Sequence, residues 1–224
     1  PGVMAITVDP LPFIPQQPSS RVVDFNQNAL FKIPLREDLD YQWQTINSVQ
    51  QGWVDLADTG IYTGTSTHSM GILSPSPSLN EKKYRCSVSG DCDPPAVSQE
   101  AKLYVVPPGW MMTLTPSHHL IHVLVSSHPT INGQPIAPGD YIGVFFEKNG
   151  QPVCAGITRW KGTMPVDVWA YGDDPSTPER DGFIAGEPFR WKIYSISLAE
   201  DFEAIPKYVL GPNVYTQGGQ TLLG

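Results

Sequence analysis

The sequence predicts an all-β protein built from two β-sandwich domains. Three observations carry that expectation. First, 23 prolines and 20 glycines stand against only 16% charged residues, a composition of short strands joined by many turns. Second, no window of about a dozen residues keeps a helical apolar period without a proline or glycine interrupting it. Third, 224 residues give room for two cores of roughly 100 residues each, near the usual domain size.

Taken in order, the chain opens with an extended apolar run from Val3 to Val8, followed by Pro10, Pro12, Pro15 and Pro18. These prolines remove backbone donors and favour an edge segment or linker. Ala29, Phe31 and Ile33 then alternate inward along a strand. Further strands are expected at Tyr41 to Gln44, Trp53 to Leu56, Met70 to Leu73, Tyr84 to Val88 and Lys102 to Val106, a spacing that reads as a sandwich. Pro107, Pro108 and Gly109 stop the last strand and set a semi-rigid hinge. The expected domains are therefore residues 1–106 and 107–224.

In the second domain a strand is expected at Leu120 to Val125, inside a stretch containing His118, His119 and His122, with His128 downstream. Thr130 to Gly133 and Pro138 to Asp140 read as turns, and Tyr141 to Phe146 as the most buried strand of the chain. Asn149-Gly150 is a hairpin reversal, with 153–160 returning as the partner strand. Residues 160–181 then run from an aromatic strand into an acidic loop. Val166, Val168 and Ala170 lie on one face of that strand, with Trp169 and Tyr171 on the other. A strand at Phe189 to Tyr194 and a tail ending Thr221-Leu222-Leu223 complete the domain. These elements fit a sandwich or jelly roll.

Charge and motifs exclude several functions. A net charge of −8, with Lys and Arg scattered singly, leaves no electrostatic footprint for nucleic acid. No apolar run reaches the roughly 18 to 20 residues that span a bilayer. The chain begins Pro1-Gly2, without an initiator Met or a signal peptide, and so reads as a mature fragment or an excised piece, with any sorting signal or anchor expected outside it. Nucleophile elbow, zinc-protease, phosphate-loop and dinucleotide motifs are absent. Asp167, Asp173, Asp174, Glu179, Asp181 and Glu187 supply carboxylates of the kind a glycosidase pairs, as any acidic β-protein does. No catalytic residues are assigned, and the expectation is that the chain is not an enzyme.

Three binding chemistries remain. Asp173, Asp174, Glu179 and Asp181 offer oxygen ligands on one loop, the donor type a hard cation such as calcium takes. The same residues also suit a turn latched by its own amides. Trp160, Trp169 and Tyr171 are candidates for a platform against a sugar face, provided their rings are not consumed by the core; Trp110 and Trp191 are reserves. His118 and His122 share a strand face but lie roughly 13 Å apart, too far to chelate one metal. Cys86 and Cys92 flank the turn-forming Ser89-Gly90-Asp91, so a tight hairpin would bring them together as a disulfide. Cys154, between Val153 and Ala155, reads as a small buried hydrophobe.

The runs YQWQ, GWVDLADTGIYTG, YRCSVSGDC and SQEAKLYVV together resemble immunoglobulin-like modules repeated in large secreted and surface proteins of gliding and related Gram-negative bacteria. The resemblance implies that Trp43 is the core tryptophan of strand C and that Tyr84-x-Cys86 is the tyrosine–cysteine pair of strand F. The usual strand-B cysteine is missing and Phe31 takes its space, so Cys86 and Cys92 would form only a local staple. The runs PPGW, TINGQPIAPGDYIGVFF, VCAGITRWKG and AYGDDPSTPERDGFIAGEPFRWKIY resemble a module that follows such repeats in exported bacterial proteins. Together these imply an immunoglobulin-like sandwich followed by a jelly-roll-like one, in a secreted or cell-surface protein with neighbouring domains. The resemblance carries location and architecture and no activity; the leading expectation from the residues is binding or adhesion at the cell surface, with a glycan or surface polymer as candidate partner. The alternatives are a spacer or self-associating subunit of a fibre or surface array, and an accessory domain of a secreted hydrolase.

Overall fold

The computed structural model describes residues 11–47 and 52–224 and divides between Val105 and Val106 into two compact units. The apolar run expected at 3–8 lies outside the described residues. Both units are β-sandwiches, the first immunoglobulin-like.

The first unit contains β1 (Arg21–Asp24), β2 (Ala29–Lys32), β3 (Asp40–Asn47), β4 (Gly52–Asp55), β5 (Tyr62–Thr63), β6 (Ser69–Ile72), β7 (Lys82–Ser89), β8 (Ala96–Val97) and β9 (Ala101–Val106). One sheet runs β1-β9-β7-β3-β4, with β8 also on β7, and the other runs β2-β6-β5. Each inner face follows from strict alternation. Ala29 and Phe31 on β2, Tyr41 and Trp43 on β3, and Tyr84, Cys86 and Val88 on β7 are all buried. Phe31 fills the space between the sheets, with its ring centroid 6.2 Å from that of Trp43 and 5.2 Å from that of Tyr84. The Trp43 indole N–H donates to the Thr67 carbonyl at 2.8 Å, so this buried polar group is satisfied.

The expected link between Cys86 and Cys92 is corrected by the structure, in which no disulfide joins them. The Cys86 thiol points into the core, and burial pushes it up to about 12. The reversal after β7 is also wider than a tight hairpin. Because Ser87 pairs with Val97 and Val88 with Ala96, the residue across from Cys86 is Ser98. The Ser98 hydroxyl accepts the Cys86 N–H at 2.9 Å, and the Ser98 N–H donates to the Cys86 carbonyl at 2.8 Å. Cys92 sits in the intervening loop.

The second unit contains β10 (His118–Val123), β11 (Thr130–Ile131), β12 (Gln134–Pro135), β13 (Tyr141–Lys148), β14 (Gln151–Arg159), β15 (Val166–Tyr171), β16 (Arg190–Ser195), β17 (Glu200–Ala204), β18 (Tyr208–Leu210) and β19 (Gln220–Leu223). Two four-stranded sheets, β15-β10-β19-β18 and β14-β13-β16-β17, enclose the core, and β11-β12 form a separate small hairpin. β10 and β19 are parallel, and the other pairs are antiparallel. The Asn132-Gly133 and Asn149-Gly150 reversals have positive φ at both residues (51° and 76°, 54° and 76°), the conformation a two-residue hairpin requires.

β13 is buried on both faces. Ile142, Val144 and Phe146 face the core between the sheets. On the other side Trp110 lies over the strand, edge-on to Phe145 at 5.0 Å, and its indole donates to Asp201 at 3.1 Å. Gly143 permits this approach, since a Cβ there would lie 2.5 Å from the Trp110 ring. Trp110 is thus a covering side chain and not a reserve ring for a ligand.

Because Phe31 is enclosed by Trp43 and Tyr84 with no disulfide to hold the sheets, Phe31→Ala should cost the first unit about 3 to 5 kcal/mol, measured by urea unfolding.

Candidate functional site

The sheet face formed by β10 and β15 carries the candidate site. On β15, Val166, Val168 and Ala170 are buried in the core, and alternation therefore turns Asp167, Trp169 and Tyr171 outward. β10 pairs antiparallel with His118 opposite Tyr171, Leu120 opposite Trp169 and His122 opposite Asp167. The outward residues of the two strands therefore form one continuous patch. Its position is fixed by a close approach at the neighbouring edge, where a Cβ on Gly156 would lie 2.3 Å from the Trp169 carbonyl oxygen.

Trp169 stands 41% exposed in this patch. The His118 ring meets it at 4.5 Å between centroids in an edge-to-face arrangement, which braces the indole while leaving it open to solvent. Beside it, His122 Nδ1–H donates to Asp167 Oδ1 at 2.7 Å. That bond orients the imidazole and leaves Nε2 and the second carboxylate oxygen directed toward solvent-side partners. The arrangement offers a flat aromatic surface with acceptors and donors alongside.

Of the three rings expected to form a platform, Trp160 is corrected. It is only 6% exposed and belongs to the core with Val168, Phe183 and Trp191. Its position at the end of β14 turns it inward, where its area is better buried than exposed. Trp169 and the half-buried Tyr171 share the outer face with His118, which sequence reading left out of the aromatic set. The signal was available in the spacing: His118, Leu120 and His122 share one face of a strand.

The acidic residues of the 173–181 loop are engaged with the loop itself. Asp181 Oδ1 accepts the Asp174 N–H at 3.0 Å, and Asp173 Oδ1 accepts the Asp181 N–H at 2.9 Å. Asp174 Oδ1 accepts the Ser176 N–H at 2.9 Å, a bond that holds Asp174 below the usual carboxylate range. Glu179 points away toward Lys148 at 3.7 Å. Among the described residues no three His, Cys, Asp or Glu side chains converge as metal ligands. The loop is anchored by Arg180, which ion-pairs with Glu187, donates to the Glu147 carbonyl at 2.9 Å and lies over the Phe146 ring. The loop mouth is tight, since a Cβ on Gly182 would lie 2.3 Å from the Gly172 backbone.

His119 points the other way from its neighbours and is fully buried. Thr221 Oγ1 donates to the Pro212 carbonyl at 2.6 Å, so it accepts from His119 Nε2–H at 2.9 Å. Nδ1 then accepts the Thr216 N–H at 3.1 Å. This neutral tautomer ties the 212–221 segment to β10, and desolvation lowers the His119 pKa.

No family model and no curated protein matches the sequence. Among solved structures, the first domain of Duf (Kirre) aligns at 16% identity with a TM-score of 0.34, covering 43% of this chain and 97% of that one. Titin M4 aligns at 19% identity with a TM-score of 0.34, covering 45% and 100%. Dpr1 IG1, solved bound to DIP-eta IG1, aligns at 14% identity with a TM-score of 0.31, covering 42% and 94%.

A lowered His119 pKa means the unfolded chain binds the proton more readily than the folded one. The contribution of His119 is therefore present above about 6.5, the ordinary histidine value, and fades as pH falls below it. The stability advantage of the wild type over His119→Gln should be largest at pH 7.5 and shrink toward pH 5, read from urea midpoints at each pH.

Proposed function

We propose that this chain is a non-catalytic, exported module pair whose second unit binds carbohydrate on the outer face of β10 and β15. The observation that carries this reading is the solvent-facing Trp169, braced by His118 and flanked by the His122–Asp167 pair. An indole face matches the apolar face of a pyranose ring, and the adjacent oxygen and nitrogen atoms suit its hydroxyls. The face is an open sheet surface, a shape suited to an extended polysaccharide more than to an enclosed monosaccharide. The first unit serves as a spacer or second contact in a larger surface protein. The 173–181 loop is latched by its own amides.

The absence of catalytic motifs in the sequence supports the non-catalytic part of the reading. Secretion rests on the resemblance of both halves to modules of exported bacterial proteins. Among the described residues no helix is long and apolar enough to cross a membrane.

A glycan array probed with the whole chain, followed by titration of the best polysaccharide, tests the proposal. Trp169→Ala should weaken binding at least about tenfold, a loss of about 1.4 kcal/mol, while Trp160→Phe should leave it unchanged. Binding insensitive to Trp169, or absent from every glycan, would contradict the site.

A further inference from the structure

The outer face that carries Trp169 does not end at β10. Thr221 and Leu223 of β19 are buried, so alternation turns Gln220 and Leu222 outward. Register places Gln220 opposite Leu120 and Leu222 opposite His122, on the side of β10 away from Trp169. On β18 a bulge continues the pattern. Tyr208 packs against the core opposite Leu223, and a residue two further on would ordinarily face the core as well. The register shift between Tyr208 and Leu210 pairs Leu210 with Leu222 instead, and leaves it 70% exposed on the outer face.

Trp169, Leu120, Gln220, Leu222 and Leu210 therefore form a track across all four strands of the sheet. Neighbouring strands lie about 4.8 Å apart, so the track is about 14 Å long. That spacing is close to the length of one sugar residue in an extended β-1,4-linked chain. On the His118 flank, where the Gly218 N–H donates to the His118 carbonyl at 2.9 Å, the Gly218-Gly219 turn has no side chain to wall the track. The face is also poor in charge. β10, β15, β18 and β19 contain no lysine or arginine, and their carboxylate, Asp167, is held by His122. An anionic polymer would find no cationic partner on these strands and would meet that carboxylate.

We infer, resting on the carbohydrate reading of the Trp169 face, that this track binds a neutral, ribbon-like β-1,4-linked polysaccharide running across the strands, with one end on Trp169 and the other on Leu210. Equatorial linkages make such a chain flat, and a flat ribbon touches an open sheet at every residue, whereas a helical α-linked chain touches it only at intervals. The apolar ring faces cover Trp169, Leu120, Leu222 and Leu210, gaining about 25 cal/mol per Å² of apolar surface buried. The Gln220 side-chain amide, with both donor and acceptor, takes hydroxyls midway along the track.

Cellobiose and cellohexaose share one chemistry and differ in length, and hydroxyethylcellulose and carboxymethylcellulose share one backbone and differ in charge. Each oligosaccharide is titrated into the whole chain while the Trp169 indole N–H resonance is followed by NMR. Cellohexaose should bind at least about tenfold more tightly than cellobiose. Leu210→Ser and Gln220→Ala, both at exposed positions, should each weaken cellohexaose about three- to tenfold and leave cellobiose, seated at Trp169 and Leu120, unchanged. In affinity gels hydroxyethylcellulose should retard the chain more than carboxymethylcellulose does. Equal affinity for the two oligosaccharides, cellohexaose binding indifferent to Leu210→Ser, or stronger retardation by carboxymethylcellulose would each overturn the inference. So would cellohexaose that does not bind: if a glycan array still yields a polysaccharide whose binding depends on Trp169, the carbohydrate reading stands and the track alone falls, and an array with no such polysaccharide removes both.

Discussion

Burial of Val166, Val168 and Ala170 against the opposite sheet constrains everything else on the β15 side of the second unit. Side chains on a strand alternate, so packing these three inward leaves no freedom for Asp167, Trp169 and Tyr171. A slip of one residue would place an indole and a carboxylate in the core and three apolar side chains in water. Burying an unpaired carboxylate alone costs several kcal/mol, more than the Trp169 ring would gain by leaving solvent. Gly156 adds a steric condition, because only a residue without Cβ fits against the Trp169 carbonyl. The outward patch is thus a consequence of core packing.

The same logic explains how histidines adjacent in sequence do different work. His118 and His122 lie on the outer face, the first against an aromatic ring and the second against a carboxylate. His119, between them, is buried neutral and donates to a threonine whose own proton is committed elsewhere. One strand therefore sets a surface chemistry with alternate residues while fastening the returning 212–221 segment with the residue between. Arg180 plays a comparable fastening part for the 173–181 loop, which places the chain correctly for β16.

Much of this was legible in the sequence. Alternation at Ala29, Phe31 and Ile33, at Val166, Val168 and Ala170, and the Asn-Gly reversals reflect local rules that hold whatever the tertiary context. The placement of Phe31 beside Trp43 and Tyr84 agrees with what the missing strand-B cysteine implied. Other features depended on partners far along the chain. Arg21–Asp24 is a strand because it pairs with β9, despite the prolines before it. The charged Glu200–Ala204 run is an edge strand on β16, with only one face against the core. The disulfide expectation failed because it assumed a tight turn after Cys86, while the pairing runs on to Ser98. Trp160 could not be placed from its own segment, because it ends a strand where alternation no longer decides the face. The acidic residues gave composition but not direction, and direction turned them toward amides.

The central claim is that Trp169 faces solvent while Trp160 and Trp110 are enclosed. Hydroxyl-radical footprinting of the intact chain, with oxidation of each tryptophan read by mass spectrometry, tests it directly. Trp169 should be oxidised many-fold faster than Trp160 or Trp110 in the folded protein, with the difference disappearing in urea. Protection of Trp169 to the level of Trp160 would contradict the orientation of β15 and remove the basis of the proposed binding face.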